Sequence, residues 1–223
     1  MIEGPKETPY PIFQIGFNKC GTTSMHALFW KSGYNSFHWD NGNLAKTIQE
    51  NIDSQDIVKG YPKNSFFNDM ELSLANEDIF CQYYFQKFFE TYPNSKFVLN
   101  IRDKDKWLKS RIRHTISGDK RRWRFGEYNL PVYAKDSMFR IGDKLNINFR
   151  KHEGTDCSDG PELLKKIWSC QWDSHINAVK DFFTRSPDRL LIFDIERDSV
   201  DKFIEFFKDI DLDKSKWEQS NKT

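Results

Sequence analysis

The stretch IFQIGFNKCGTTSMHALFW, Ile12 to Trp30, constrains the fold more than any other part of the chain. An apolar run at 11–16 reads as a buried strand. It passes through a loop bounded by Gly16 and Gly21 into a helix from about Thr22 to Lys31. Met25, Leu28 and Phe29 share one helical face, and Ser32-Gly33 ends the helix. A strand that enters a helix through glycines presents backbone N–H groups at the positive end of the helix dipole, where an anion is favoured. The glycine spacing is that of the phosphate loop GxxxxGK[ST]. Thr23 stands where the metal-binding hydroxyl belongs, but Thr22 replaces the lysine and Lys19 lies inside the loop. The anion cradle therefore survives, while the ATPase arrangement does not. The plainer alternative is a strand-turn-helix with an incidental lysine. Against it, Thr22, Thr23 and Ser24 open the helix with three hydroxyls where Ala or Glu would be ordinary.

The rest of the chain alternates in the same way. Further strands are expected at 34–39, 64–67, 96–102 and 189–195, with KFVLNIR at 96–102 the clearest. Helices are expected at 43–52, at 76–91 through a stripe of Ile79, Phe80, Tyr83 and Phe88, at 103–116, at 161–184 with Pro161 in the first turn, and at 199–210 with Ser199 as N-cap. Strands separated by helices imply an α/β, three-layer fold with a central parallel sheet of about five strands flanked by helices. Such sheets bind ligands at the carboxyl ends of their strands, so the residues after Ile15 and after Ile101 should share one edge. Residues 118–160, including GDKRRWRFGEY, lack periodicity. They read as a lid or acceptor-binding insertion, or as structure with no legible pattern.

Composition bounds the function. A chain of 223 residues suits one domain spanning 1–223. With 38% hydrophobic and 16% aromatic residues it can bury a core. A formal net charge of +1 argues against a nucleic-acid-coating protein. No run of roughly eighteen apolar residues suggests a membrane span, and MIEGPKETPYP does not read as a signal peptide. Cys20, Cys81, Cys157 and Cys170 form no CxxC pair and suggest neither a zinc site nor a disulfide framework, so a cytoplasmic location is expected.

The segment GFNKCGTTSMHALF resembles the 5′-phosphosulfate loop of sulfotransferases that use 3′-phosphoadenosine 5′-phosphosulfate (PAPS), in which a lysine sits inside the loop and Gly-Thr-Thr-Ser follows. The family also binds the donor's 3′-phosphate with an arginine at a strand end and a serine eight positions later. In NIRDKDKWLKS these are Arg102 and Ser110. The likeness is nearest to the small sulfotransferase-like P-loop proteins and covers most of the chain outside 118–160. FHW (37–39) resembles a Tyr/Phe-His element, FFNDME (66–71) an Asp-Trp-Pro element with Met70-Glu71 in place of Trp-Pro, and LLIFDIE the closing strand. No glycine-rich adenine-binding segment of the cytosolic enzymes is visible. A tail at Asn221 and Lys222 could close over the nucleotide or fray.

The resemblance implies a PAPS-dependent sulfotransferase that requires no metal. Asn18, Lys19, Cys20, Gly21, Thr22, Thr23 and Ser24 would cradle the phosphosulfate, and Arg102 with Ser110 the 3′-phosphate. Lys19 would stabilise charge on the leaving oxygen. The acceptor hydroxyl or amine needs a base, and His38 and Asp69 are the leading candidates, with Asp40 and Glu71 expected to be solvated. Against these roles stand a packed surface histidine and a helix N-cap. His114, His152 and His175 read as structural. Lys120, Arg121, Arg122 and Arg124 form either a solvated loop or an attractor for an anionic acceptor such as a glycan or acidic headgroup. Two other classes stay open: a nucleotide kinase or NTPase with an altered loop, and a non-catalytic module binding 3′-phosphoadenosine 5′-phosphate (PAP).

Overall fold

The structure, a computed structural model, describes residues 5–74, 77–118 and 160–218. The 118–160 stretch apart from its two end residues, with Lys120, Arg121, Arg122, Arg124, His152 and Cys157, lies outside the described residues, as does the tail at Asn221 and Lys222. Contacts divide the chain into two compact units. One comprises Met1–Glu71, Ile79–Arg102 and Ile176–Thr223, the other Leu72–Asp78 and Asp103–His175.

The first unit is built on a five-stranded parallel sheet of β1 (Ile12–Gln14), β2 (Ser36–His38), β3 (Phe66–Asn68), β6 (Lys96–Ile101) and β7 (Leu190–Asp194), in the order β2-β3-β1-β6-β7. Helices surround it, among them α1 (Thr22–Lys31), α2 (Asn43–Glu50), α3 (Phe85–Thr91) and α6 (Val200–Phe206). The α/β fold expected from strand-helix alternation is thus present.

A parallel sheet covered on both faces must be apolar on both, and the strand sequences are. Ile12, Phe66, Val98, Leu191 and Phe193 join Met25, Leu28 and Phe29 of α1 and Phe203 of α6 in one buried cluster. Their strand neighbours point the other way. Phe13 is fully buried and stacks on Phe88 at 4.4 Å, on Phe67 at 5.3 Å and on Tyr92 at 5.6 Å between ring centroids. Arg189 closes that layer, with its guanidinium 3.6 Å from the Phe89 centroid and donating to the Ser95 and Tyr92 carbonyls. Ser199 caps α6 by accepting the Asp201 N–H.

One expected helix is largely absent. Residues 76–91 begin as strand β5 (Glu77–Phe80), paired with β4 (Glu71–Leu74) in a separate two-stranded sheet. They pass through a 3-10 turn at Cys81–Tyr84 and become helical only from Phe85. The Cys81 N–H donates to the Met70 carbonyl, a partner eleven positions away that the local apolar spacing could not reveal. Tyr83, assigned to the core stripe, is exposed.

The second unit contains α4 (Lys104–Gly118) and most of α5 (Gly160–Phe182). Trp107 and Trp172 pack at 4.6 Å between centroids, and the buried Arg111 guanidinium lies 5.1 Å from the Trp168 ring. Lys104 pairs with Asp173 at 2.9 Å. His175, expected to be structural, is buried on α5. Among the described residues no helix is long and apolar enough to cross a membrane.

Phe13 is the ring on which the aromatic layer converges. Phe13→Ala should therefore cost about 3–5 kcal/mol, read as a lowered urea midpoint at unchanged slope. A loss within about 0.5 kcal/mol, the range of surface substitutions, would contradict this packing.

Candidate functional site

The parallel registers put four polar side chains in one row. His38 pairs with Asn68, Gln14 follows Phe13, which pairs with Phe67, and Asn100 lies two residues beyond Val98, the partner of Gln14. By the period of two, these residues lie at or next to the carboxyl ends of their strands, on the face that carries Ile12, Phe66 and Val98, the face covered by α1. A polar row at the carboxyl edge, below the start of a helix, is where an α/β sheet holds a ligand.

The centre of the row is a buried amide pair. Gln14 Nε2 donates to Asn100 Oδ1 at 2.6 Å and to the Gly16 carbonyl at 2.5 Å. Asn100 Nδ2 donates to the carbonyls of Phe17 at 3.1 Å and Cys20 at 2.9 Å. The Asp69 N–H donates to Gln14 Oε1 at 2.9 Å. Two side chains thus fix both limbs of the loop and the turn after β3. Gly16 is required by space, since a Cβ there would lie 2.2 Å from Asn100 Oδ1. Gly21 is required by conformation, with φ of 81°, and its Cβ would also meet Ile195 Cγ2 at 2.9 Å. Lys19 has φ of 61° without being glycine, a strained geometry that needs outside support. Arg102 Nη1 supplies some by donating to the Lys19 carbonyl at 3.2 Å. Sequence reasoning missed Gln14 and Asn100. Their only signal was a polar residue at the end of an otherwise apolar strand.

The expected site residues fall as follows. Asn18, Lys19, Cys20 and Gly21 form the loop, and Thr22, Thr23 and Ser24 the first turn of α1. That turn carries no acidic residue and begins after Gly21, which has no side chain to cap it. Thr22 and Ser24 are buried and Thr23 is exposed. The Thr22 hydroxyl lies 3.3 Å from His38 Nε2. The same nitrogen is 3.5 Å from Asp69 Oδ2, so the two candidate bases are neighbours. Asp69 sits at a left-handed turn with φ of 50° rather than at a helix start. Arg102 Nη2 is 2.9 Å from Glu196 Oε1, and its Nε is buried without a hydrogen-bond partner among the described residues. The Asn68 side-chain amide is buried and likewise lacks one. Ser110 lies half-buried on α4, in the second unit.

Two carboxylates expected to be solvated are held by partners. Asp40 Oδ2 accepts the Tyr61 hydroxyl at 2.6 Å. Glu71 is buried and accepts the Asn18 N–H at 3.3 Å and Gln82 Nε2 at 2.9 Å. Glu71 is the first residue of β4, and these two partners hold it toward the loop.

Burial dominates the electrostatics. It pulls the Lys19 ammonium below its ordinary pKa, with the Arg102 charge reinforcing the shift and Asp69 opposing it. It lowers His38 as well, against a backbone hydrogen bond at the same residue, so its imidazole is neutral at pH 7. His26, 5.4 Å from His38 between ring centroids, is lowered to about 4 by burial and then by His38. Its Nδ1 lies 2.7 Å from the Ser36 hydroxyl.

The His26 shift carries a stability consequence. The unfolded residue titrates near 6.5 and the folded one near 4, so between these values the unfolded chain binds more protons. Stability should fall as pH drops from 6.5 and level off below 4 as far as His26 is concerned. His26→Gln should flatten that limb in urea titrations across the window. An unchanged slope would show that His26 ionises as freely folded as unfolded.

Against families of known proteins, residues 11–221 match the model described as a sulfotransferase domain. No curated protein matches the chain.

Proposed function

We propose, from the premise that this chain belongs to the sulfotransferase domain family, that it is one catalytic domain transferring a sulfuryl group from PAPS to a hydroxyl or amine acceptor, a glycan, glycolipid or small molecule. The observation that carries this reading is the Arg102 hydrogen bond to the Lys19 carbonyl. It ties the backbone of the loop that carries Lys19 to a guanidinium at the adjacent strand end, as a donor with phosphate at both 5′ and 3′ positions would need.

The residues fit such a donor. Gly16 and Gly21 admit no side chain into the loop, and the first turn of α1 offers N–H groups without an acidic neighbour. Arg102 Nε is buried without a partner among the described residues. Asn18 to Ser24 would hold the phosphosulfate, and Arg102 the 3′-phosphate. When bound, the donor supplies the sulfuryl group, and its bridging oxygen leaves with the electron pair of the broken S–O bond.

Lys19 stabilises the charge that grows on that oxygen, aided by the helix start. It lies within electrostatic reach of both Asp69, which favours its charge, and Arg102, which opposes it. His38 takes the acceptor proton at Nε2, where a neutral imidazole needs no further tuning. Asp69, at 3.5 Å, stabilises the imidazolium so formed. The Thr22 hydroxyl lies 3.3 Å from the same nitrogen. The free thiols of Cys81 and Cys170 fit a reducing compartment such as the cytoplasm.

Calorimetry with PAP, adenosine 5′-monophosphate (AMP) and ATP–Mg²⁺ tests the donor. PAP should bind tightest, and Arg102→Ala should weaken PAP by about 1.5–3 kcal/mol more than it weakens AMP. A preference for ATP–Mg²⁺ would favour a kinase or NTPase.

Turnover with PAPS tests Lys19. Lys19→Met should reduce kcat by about 10²–10³, with PAP affinity changing less. Equal losses in both would assign Lys19 to binding alone, and unchanged turnover would remove it from the chemistry.

A further inference from the structure

We propose that Glu196 is a competing anion for Arg102, one that holds the guanidinium when no nucleotide is present and returns to it as the spent donor leaves. This rests on the reading that Arg102 receives a 3′-phosphate. The contact is a 2.9 Å ion pair in which the Arg102 side chain is 14% exposed and that of Glu196 23% exposed. Arg102 uses Nη1 for the Lys19 carbonyl, which supports the loop, and Nη2 for Glu196. Glu196 thus takes one of the two guanidinium nitrogens that are not committed to the loop, the other being the buried Nε.

The pairing is built into the turn after β7. Ile195 donates its N–H to the Ile101 carbonyl at 3.0 Å, and its side chain lies against Gly21. The next residue, Glu196, has its own N–H fixed by Asp194 Oδ1 at 3.0 Å. The other carboxylates of the turn have cations of their own. Asp194 faces Arg197 at 3.6 Å, and Asp198 pairs with Lys202 at 2.8 Å. Glu196 is therefore directed at Arg102 by backbone anchored on both the loop and the neighbouring strand.

A phosphate approaching a guanidinium already paired with a carboxylate meets a like charge, which it must displace or endure. Affinity for a 3′-phosphate is thereby reduced and its departure hastened. A nucleotide without a 3′-phosphate has no reason to disturb the pair, so the effect is confined to one end of the ligand. In the opposite role, as a brace for Arg102, Glu196 would raise 3′-phosphate affinity, and removing it would lower affinity.

The test compares PAP and AMP on wild type, Glu196→Gln, Glu196→Ala and Arg102→Ala by calorimetry, with PAP dissociation followed by stopped flow. Glu196→Gln keeps an oxygen for Arg102 but removes the charge. It should tighten PAP about three- to tenfold, the span between an exposed ion pair and a more buried charge-assisted hydrogen bond, and slow PAP release. AMP affinity should not change. Glu196→Ala should shift PAP in the same direction. Weaker or unaltered PAP binding in both Glu196 variants overturns the proposal. If Arg102→Ala still weakens PAP selectively, the 3′-phosphate reading survives that failure. If Arg102→Ala leaves PAP unaltered, the reading and the proposal fall together.

Discussion

The hydrogen-bonded pair of Gln14 and Asn100 is the constraint on which the site depends. Two amides that share one buried hydrogen bond spend their remaining capacity on backbone: Gly16, Phe17, Cys20 and the N–H of Asp69. Each of those groups lies outside the regular strands and helices. Burying them unpaired would cost about 1–3 kcal/mol apiece, so the pair makes an irregular loop tolerable inside a packed edge. It also explains why the loop and the Asp69 turn are set against each other, for one side chain serves both.

Charge is distributed around this frame in a consistent way. Lys19 and Arg102 lie within electrostatic reach of each other, an arrangement that costs free energy in a half-buried setting. Carboxylates offset it locally. Asp69 acts on Lys19, Glu196 holds Arg102, and Glu71 accepts the Asn18 N–H. A family whose chemistry is sulfuryl transfer needs an anion-receptive site, and here the protein's own carboxylates already answer part of that demand. The two histidines on the other side stay neutral because burial disfavours their cations.

Much of this was legible in the sequence because it is local. The strand-loop-helix at Ile12–Lys31 appears close to where its glycines and apolar faces put it, and the five strands of the sheet were all foreseen. Lys19, His38, Asp69 and Arg102 were picked from motif likeness, and the strand ends bring them to one edge. The failures share a cause. Residues 77–80 are a strand because β4 lies beside them, and Glu71 is buried with Asn18 and Gln82 as its partners. Asp40 is held by Tyr61, twenty-one positions away. Apolar spacing over a dozen residues reports a face but not the neighbour that selects helix or strand.

The sequence by itself determined the α/β class, the glycine-bounded loop with its internal lysine and the family likeness. All three follow from periodicity, glycine placement and short motifs, which are properties of contiguous residues. Tertiary structure decided which polar side chains meet. Gln14 reaches Asn100 across eighty-six positions, His38 reaches Asp69, and Arg102 finds Glu196 ninety-four positions on. These contacts arise from strand order and register, and a parallel sheet sets its order through crossovers that no local pattern encodes.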